Sequence, residues 1–290
     1  MVKGNKIFDL FRTVLIFTSL DRYYSRLIRG KKHDSFIGKM APNNYQYKKG
    51  TYRIARLNNN IKLSVDLHDY LGHYIYFGYK DQSQDALLKL VEENYSVLDI
   101  GTNIGNTALL FADKVKAAGR VIGFEPDPET YQLCMKNLEL NSFENLKVHN
   151  IGFGDNNSSF FIESLIDSNI SGNRINEKLT QGQKQVSVKR LDDVFFDFNL
   201  KKVDLVKIDV EGYEMKVLIG AKETIQKFKP TLFIEIDDNN LRDQKSSAQE
   251  LLDFLEKNNY TSVEAVSNKP INSNYNFKDC HFDIISTSNC

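Results

Sequence analysis

The chain has 290 residues, of which 41% are hydrophobic and 26% are charged, and its 38 basic and 38 acidic side chains leave no net charge. This length and apolar content allow a large hydrophobic core, which excludes a wholly disordered protein. The three cysteines, Cys134, Cys280 and Cys290, form no C-x-x-C pair and no metal-binding spacing. They therefore predict free thiols in a reducing, cytoplasmic setting.

Basic residues are concentrated at the start of the chain, where residues 1–50 hold 11 Lys and Arg against 3 Asp and Glu. Asp9 and Arg12 interrupt the apolar run there, which is too short for a signal peptide or a membrane-spanning helix. The segment either lies on an anionic membrane surface or packs against the protein's own body or a partner subunit. Its apolar residues at helical spacing, which predict an amphipathic helix, are Ile7, Leu10, Phe11, Val14 and Phe17.

The next segments are less regular. Residues 31–60 are polar and rich in Asn, and they predict an irregular connection. From Tyr52 the sequence alternates in the manner of strands, and residues 61–65 and 74–77 predict a small antiparallel flap. Residues 86–91 predict a helix that leads into the main sheet.

From residue 96 onward strands and helices alternate, which is typical of a doubly wound parallel sheet. Residues 261–266 and 282–286 would close the sheet as a hairpin-like pair. The polar stretch 155–185, with added strands at its ends, leaves the carboxyl end of the third strand, so we expect it to cover the substrate. The parallel strands are predicted at residues 96–100, 121–124, 146–151, 203–210 and 230–237, with helices at 106–116, 128–140 and 251–257.

The most informative stretch is V-L-D-I-G-T-N-I-G-N, in which a short apolar strand ends at Asp99 and turns through two glycines. Gly101 and Gly105 can take positive φ and let the backbone approach a ligand at the start of the next helix. The spacing fails as a dinucleotide fingerprint, because Asn103 and Asn106 occupy the second and third glycine positions. A P-loop is excluded because no Gly-Lys-Ser/Thr follows and the acid would repel a pyrophosphate. An acid there suits a partly cationic ligand such as S-adenosylmethionine (SAM).

Several separate stretches together resemble the FkbM family of SAM-dependent methyltransferases. They are V-L-D-I-G-T-N-I-G, F-E-P, K-I-D-V-E-G-Y-E and F-I-E, which begin at residues 97, 124, 207 and 233. The resemblance implies an α/β class I methyltransferase fold, a Rossmann-like, doubly wound sheet of seven strands whose last strand is antiparallel. It implies a methyltransferase domain over residues 61–290, preceded by a basic helical and β extension over residues 1–60.

The ends of parallel strands converge on the edge of the sheet where ligands bind. Glu125 is expected to accept hydrogen bonds from both ribose hydroxyls of SAM, or else to favour the start of the next helix. Asn103 and Asn106 would hold the amino-acid end of SAM or cap the helix. Gly152 and Phe153 would line the adenine pocket, although a core role explains Phe153 equally well. The predicted cofactor-binding residues are completed by Asp99, Gly101 and Gly105.

Methyl transfer to a hydroxyl needs a group that takes the hydroxyl proton. Asp209, at the end of the fourth strand, is the first candidate, followed by Glu211 and Glu235. Asp209 and Glu235 would alternatively bind Mg²⁺ together with Asp237 and Asp238, but no spacing requires a metal and none is assigned.

The sequence thus predicts a cytoplasmic SAM-dependent O-methyltransferase that acts on a glycan, a glycolipid or a glycosylated metabolite. It leaves peripheral membrane contact through residues 1–30 open and predicts no nucleic-acid partner. Two other functions stay open. A nucleotide-linked oxidoreductase would use the same sheet, although the missing glycines argue against it. A non-catalytic module would use the basic start of the chain to sit on membranes.

Overall fold

The computed structural model of the protein describes residues 6–57, 61–164, 173–176 and 184–289. Within these ranges the chain forms two compact units, one up to Gln82 and the other from Ser83 onward. No helix in this described part is long and apolar enough to cross a membrane. Cys134 and Cys280 are free thiols, as predicted, and Cys290 lies outside the described residues.

The first unit consists of short helices and one strand pair. Its elements are α1 (Lys6–Phe17), α2 (Asp21–Ile28), α3 (Phe36–Met40), β1 (Tyr52–Leu57), β2 (Ile61–Asp66) and α4 (Tyr70–Phe77). The two strands are antiparallel, and Ala55 lies opposite Leu63 with both side chains buried. The helix predicted at the start of the chain is present as α1. The domain boundary predicted at residue 60 lies between these two paired strands.

Two predictions for the first unit are wrong. Residues 74–77 belong to α4 and are not a strand, because the Asp69 carboxylate caps this helix (3.0 Å) and Gly78 ends it at φ 62°. Residues 31–60 are not irregular throughout, since they contain α3, which the Ser35 hydroxyl caps, whereas the strand-like alternation expected from Tyr52 is confirmed as β1. The overlooked signal is the same in both cases. Each capping residue stands three positions before the glycine whose N–H it accepts.

The second unit alternates strands and helices. Its strands are β3 (Ser96–Ile100), β4 (Arg120–Phe124), β5 (Leu146–His149), β6 (Gly152–Phe153), β7 (Ser158–Ser164), β8 (Asn173–Asn176), β9 (Lys184–Lys189), β10 (Leu205–Ile208), β11 (Thr231–Asp237), β12 (Tyr260–Glu264), β13 (Pro270–Ile271) and β14 (His281–Ser288). Its helices are α5 (Gln82–Lys89), α6 (Asn106–Val115), α7 (Pro128–Glu139), α8 (Leu191–Val194), α9 (Glu214–Gly220), α10 (Lys222–Phe228), α11 (Asp238–Asp243) and α12 (Ala248–Lys257).

Eight of these strands form one sheet in the order β13-β12-β14-β11-β10-β3-β4-β5. The strands from β11 to β5 are parallel, and their order runs outward in both directions from β3, as in doubly wound sheets. The last strand, β14, is antiparallel and lies between β11 and β12. Apart from the two-residue edge strand β13, this is the predicted seven-stranded class I methyltransferase sheet, and the fold prediction is confirmed.

The register of the central strands brings their polar ends together. β3 is buried along its whole length, as expected for a strand covered on both faces. Lys207 of β10 lies opposite Asp99 of β3, while Ile208 lies between Ile100 and Ile234 of its two neighbours. The acids that follow β10 and those near the end of β11 therefore lie at the same edge as the turn after β3.

The sequence predicts a substrate cover over residues 155–185. Where this segment is described, it contributes β7 and β8 to a second sheet of order β6-β9-β7-β8. The added strands expected near residues 159–163 and 185–189 are confirmed as β7 and β9. The other residues of the segment lie outside the described ranges, and its role as a cover stays a prediction.

Candidate active site

The turn after β3, residues 101–105, is called here the glycine turn. Gly101 has φ 85°, and a Cβ at this position would lie 1.8 Å from the Asp209 carbonyl oxygen. Only glycine tolerates both the conformation and this close approach. The N–H groups of Gly101 and Thr102 donate to the Phe124 carbonyl oxygen, each at 3.0 Å. The turn therefore packs tightly between the ends of β4 and β10.

Glu125, just after β4, is joined to the glycine turn. Its Oε2 accepts the Asn103 N–H at 3.0 Å, and its Oε1 accepts the Asp127 N–H at 3.0 Å. Burial raises the pKa of Glu125 to about 7, although these two hydrogen bonds favour the ionised form. Each carboxylate oxygen can accept two hydrogen bonds, so each has capacity for one more donor. Glu125 is thus a preoriented double acceptor at the edge of the sheet.

The start of α6 completes this side of the site. Gly105, with φ 93°, is the N-cap residue, and no side chain caps the helix there. The predicted capping by Asn106 is therefore not seen, while the Asn103 side chain accepts the Ile104 N–H at 2.7 Å. The Asn106 Oδ1 atom is buried and has no hydrogen-bond partner in the described part of the chain. A buried acceptor of this kind, at a helix start, points to a polar ligand.

Asp99 is fully buried, and its charge is balanced within the protein. Its Oδ2 accepts the Thr107 hydroxyl at 2.7 Å, and its Oδ1 lies 3.5 Å from Lys207 Nζ. Burial raises the pKa of Asp99, and the nearby Lys207 ammonium opposes that shift. The expectation that Asp99 faces a cationic ligand stays a prediction.

Lys207 links two of these acids. Its Nζ lies 3.1 Å from Asp209 Oδ2 and donates to the Gly101 carbonyl oxygen at 3.3 Å. Burial lowers the pKa of Lys207, but the carboxylates of Asp209 and Asp99 outweigh this effect and keep the amine charged. The Asp99 side chain is 0% exposed, whereas that of Asp209 is 42% exposed. Lys207 therefore links the buried Asp99 to Asp209, whose carboxylate is accessible from solvent.

The turn after β10, residues 209–214, is called here the acid turn. Glu211 has φ 53°, and its Oε2 accepts the Asn240 side-chain amide at 2.9 Å. Glu214 is buried, and its Oε1 accepts the N–H groups of Val210 and Gly212, each at 3.1 Å. Burial raises the pKa of Glu214 to about 8. Glu214 lies in the first turn of α9, and its buried side chain closes the acid turn from inside.

Glu235, near the end of β11, is paired with a histidine that sequence reasoning did not assign. Its Oε1 lies 3.0 Å from His281 Nε2, and His281 Nδ1 lies 3.6 Å from Asp237 Oδ2. Burial, followed by the charge of Asp209, raises the pKa of Glu235 to about 7. The hydrogen bond to Glu235 raises the pKa of His281 to about 9, so the imidazole is a cation at neutral pH.

The other acids considered for Mg²⁺ are occupied. The Asp237 carboxylate caps α11 through the Asn240 N–H at 3.0 Å. The buried Asp238 carboxylate accepts the Ala248 N–H at 2.9 Å and pairs with Arg242 at 2.6 Å. Across the described ranges, no group of three or more His, Cys, Asp or Glu side chains could hold a metal ion.

Gly152 and Phe153 form the short strand β6. Phe153 is buried, and its ring meets Phe124 edge-on with 4.6 Å between centroids. A Cβ at Gly152 would lie 3.2 Å from Pro126 Cβ. These contacts describe close packing beside Glu125, and the role of both residues in an adenine pocket stays a prediction.

With this geometry established, comparison with known proteins is informative. The profile of the Methyltransferase FkbM domain family matches residues 99–262, which include the glycine turn, the acid turn and Glu235. The chain belongs to this family. A solved structure described as Methyltransferase FkbM, from Methylobacillus flagellatus KT, has a TM-score of 0.40 at 19% identity. The match covers 68% of this chain and 44% of that chain. At this TM-score it adds nothing to the fold assignment, which rests on the strand order.

Curated relatives match parts of the chain. Methyltransferase 1 of Beauveria bassiana (strain ARSEF 2860) is 30% identical over 49% of this chain and 65% of its own length. The 2-O-methyltransferase NoeI of Sinorhizobium fredii is 26% identical over 55% of this chain and 70% of its own length. The hexuronic acid methyltransferase AglP of Haloferax volcanii is 29% identical over 48% of this chain and 55% of its own length. The chain thus spans about half to two thirds of these relatives.

Proposed function

We propose that the protein transfers the methyl group of SAM to a hydroxyl oxygen of a glycan, glycolipid or glycosylated metabolite. The observation that carries this proposal is the convergence of the glycine turn, Glu125 and Asp209 at one edge of a class I sheet. Membership of the methyltransferase FkbM domain family supports the same conclusion. It favours methyl transfer over the oxidoreductase alternative, which the missing glycines also oppose.

The residues present fit SAM as the cofactor. Glu125 has two preoriented acceptor oxygens, as the two ribose hydroxyls require. The buried Asn106 Oδ1 and the uncapped start of α6 supply an acceptor and helix N–H groups for the ammonium and carboxylate of the amino-acid end. When bound, SAM supplies an activated methyl group on a sulfonium centre.

We assign the proton-accepting role to Asp209, which is the exposed carboxylate of the Lys207 pair. The acceptor hydroxyl would donate its proton to Asp209 Oδ as the oxygen gains the methyl group. Lys207 holds this carboxylate in position from the buried side. Glu211 and Glu235 are ranked after Asp209: the Asn240 amide binds the Glu211 carboxylate, and the Glu235 side chain is paired with His281 and is 21% exposed, against 42% for Asp209. The raised pKa of Glu235, about 7, nevertheless makes it the rival base to test.

The acceptor class rests on two relatives. One is named a 2-O-methyltransferase and the other a hexuronic acid methyltransferase. A sugar offers both hydroxyl and, in uronic acids, carboxyl oxygens as acceptors. We propose the hydroxyl as acceptor. An ionised carboxylate carries no proton to remove, so it would give the exposed Asp209 no role as a base.

Labelled methyl transfer from SAM to a panel of saccharides and uronic acids tests this proposal. We expect acceptor-dependent incorporation that survives alkaline hydrolysis, since a methyl ether resists alkali and a methyl ester does not. Label that alkali removes would assign the carboxyl group as acceptor. Incorporation into no saccharide, by protein that binds SAM, would refute the proposed acceptor class.

A further inference from the structure

Helix α1 carries apolar side chains on more than one side. Leu15 is buried within the first unit, and the Phe11 ring meets Tyr24 edge-on with 5.8 Å between centroids. The sequence places Phe11 on the same face as its other apolar residues, but the structure separates them. A second apolar row, spaced by about one helical turn, is exposed and consists of Leu10 (68%), Val14 (47%) and Phe17 (91%).

The exposed side of α2 carries a second set of large side chains with a different chemistry. Tyr23 and Leu27 are each 66% exposed, and they alternate along the helix with the exposed arginines Arg22 and Arg26. Between the two helices, Leu20 is also exposed. We call these eight residues the N-terminal face: Leu10, Val14, Phe17, Leu20, Arg22, Tyr23, Arg26 and Leu27.

Two of the three acids among residues 1–50 are turned inward or paired. Asp21 is buried and accepts the Tyr47 hydroxyl at 3.1 Å. Asp9 pairs with Arg12 at 2.9 Å. The third, Asp34, is exposed and follows the exposed basic residues Arg29, Lys31 and Lys32. The first unit therefore presents large apolar side chains together with an excess of positive charge.

We propose that the N-terminal face binds peripherally to the surface of an anionic lipid membrane. Its apolar side chains would enter the boundary between headgroups and acyl chains, while its arginines meet lipid phosphates. The inference goes beyond methyl transfer and rests on the first unit alone. Apolar residues left in water at this density mark an interaction site.

Charge distinguishes this occupant from a second copy of the chain. A two-fold dimer would place the same patch on both partners, so that Arg22 and Arg26 of both copies would lie in one interface. Like charges buried in that way oppose association, whereas anionic headgroups neutralise them. Since α1 and α2 are too short to span a bilayer, contact would be confined to the membrane surface.

Vesicle flotation of the full-length protein tests the proposal. We expect binding to equimolar phosphatidylserine and phosphatidylcholine vesicles and little binding to phosphatidylcholine alone. The double variant Leu10→Ser/Phe17→Ser should bind about 100-fold more weakly, because each large apolar side chain contributes roughly a factor of ten. Arg22→Gln/Arg26→Gln should bind more weakly at low salt and approach wild type at high salt.

Matched variants show whether vesicle binding depends on the N-terminal face or on exposed apolar and basic groups in general. Phe196→Ser removes a similarly exposed ring (76%) from the second unit, and Lys201→Gln/Lys278→Gln removes two exposed charges there. Both should bind as wild type. The proposal is overturned by equal binding to neutral and anionic vesicles, by absent binding, or by Leu10→Ser/Phe17→Ser binding normally. A concentration-dependent dimer that this double variant abolishes would instead identify the face as a subunit interface.

Discussion

The glycine turn and the acid turn both connect a central strand to a helix, yet their polar groups are arranged differently. Beside the glycine turn, the buried Asn106 Oδ1 has no hydrogen-bond partner in the described part of the chain, and each Glu125 oxygen can accept one more donor. In the acid turn, Glu214 Oε1 accepts two of the turn's N–H groups from inside, while its buried Oε2 has no hydrogen-bond partner among the described residues. We infer that the first turn recognises the cofactor and the second rigidly holds Asp209.

The comparison depends first on the close approach of the two turns at Gly101. Gly101→Ala would force a Cβ against the Asp209 carbonyl oxygen and should destabilise the protein by at least ~3 kcal/mol. Gly50→Ala is the matched control, since Gly50 has nearly the same φ (83°) and open space around its Cβ position. It should cost only about 1–2 kcal/mol, the penalty of positive φ alone. If urea unfolding shows that both variants lose the same free energy of unfolding, the two turns are not tightly packed.

The second prediction separates chemistry from binding. Asp209→Asn should lower turnover about 100-fold or more, because it removes the proposed base, while affinity for S-adenosylhomocysteine changes little. Asp197→Asn, an exposed change on the same unit, should retain activity. Steady-state kinetics and calorimetry decide the outcome. A parallel loss of affinity for S-adenosylhomocysteine would show that Asp209 takes part in cofactor binding. Normal turnover would favour Glu235 as the base.

The third prediction concerns the cofactor side. Glu125→Gln should weaken binding of S-adenosylhomocysteine by about 10-fold to 100-fold, since an amide NH₂ would face the Asn103 or Asp127 N–H. In the wild type, affinity should fall as pH decreases through about 7, where Glu125 gains a proton, and the variant should lack this dependence. Glu139→Gln, at the exposed end of α7, serves as control. A pH-independent wild-type affinity would contradict the assignment.

The last prediction concerns the pH dependence of stability inside the acid turn. The pKa of Glu214 is raised from its ordinary value of 4.5 to about 8, so its protonated form contributes stability that is lost as pH rises between these values. Glu214→Gln mimics that form, and it should match the wild type near pH 5 and be relatively more stable near pH 9. Thermal unfolding at both pH values measures the difference. A variant that loses stability at every pH would show that an ionised carboxylate is required.

The strands and the glycine turn could be predicted because their signals are local. The bounds of β3 agree with the sequence, since an uninterrupted apolar run ending in Asp99 and Gly101 defines a buried strand and its turn. The role of Lys207 could not be predicted in this way, because its partner Asp99 is more than 100 residues away in sequence. His281 was missed for the same reason, as Glu235 lies 46 residues from it.

One other error was local. Residues 74–77 were mistaken for a strand because short aromatic runs do not distinguish a buried helix from a strand by periodicity. The Asp69 cap would have decided the question.

Calorimetric titration of the folded wild-type protein with S-adenosylhomocysteine is the most direct measurement of the central claim. Saturable one-to-one binding that SAM competes away, and that Glu125→Gln weakens, is the predicted result. A folded protein that takes up neither compound would show that this edge of the sheet is not a SAM site.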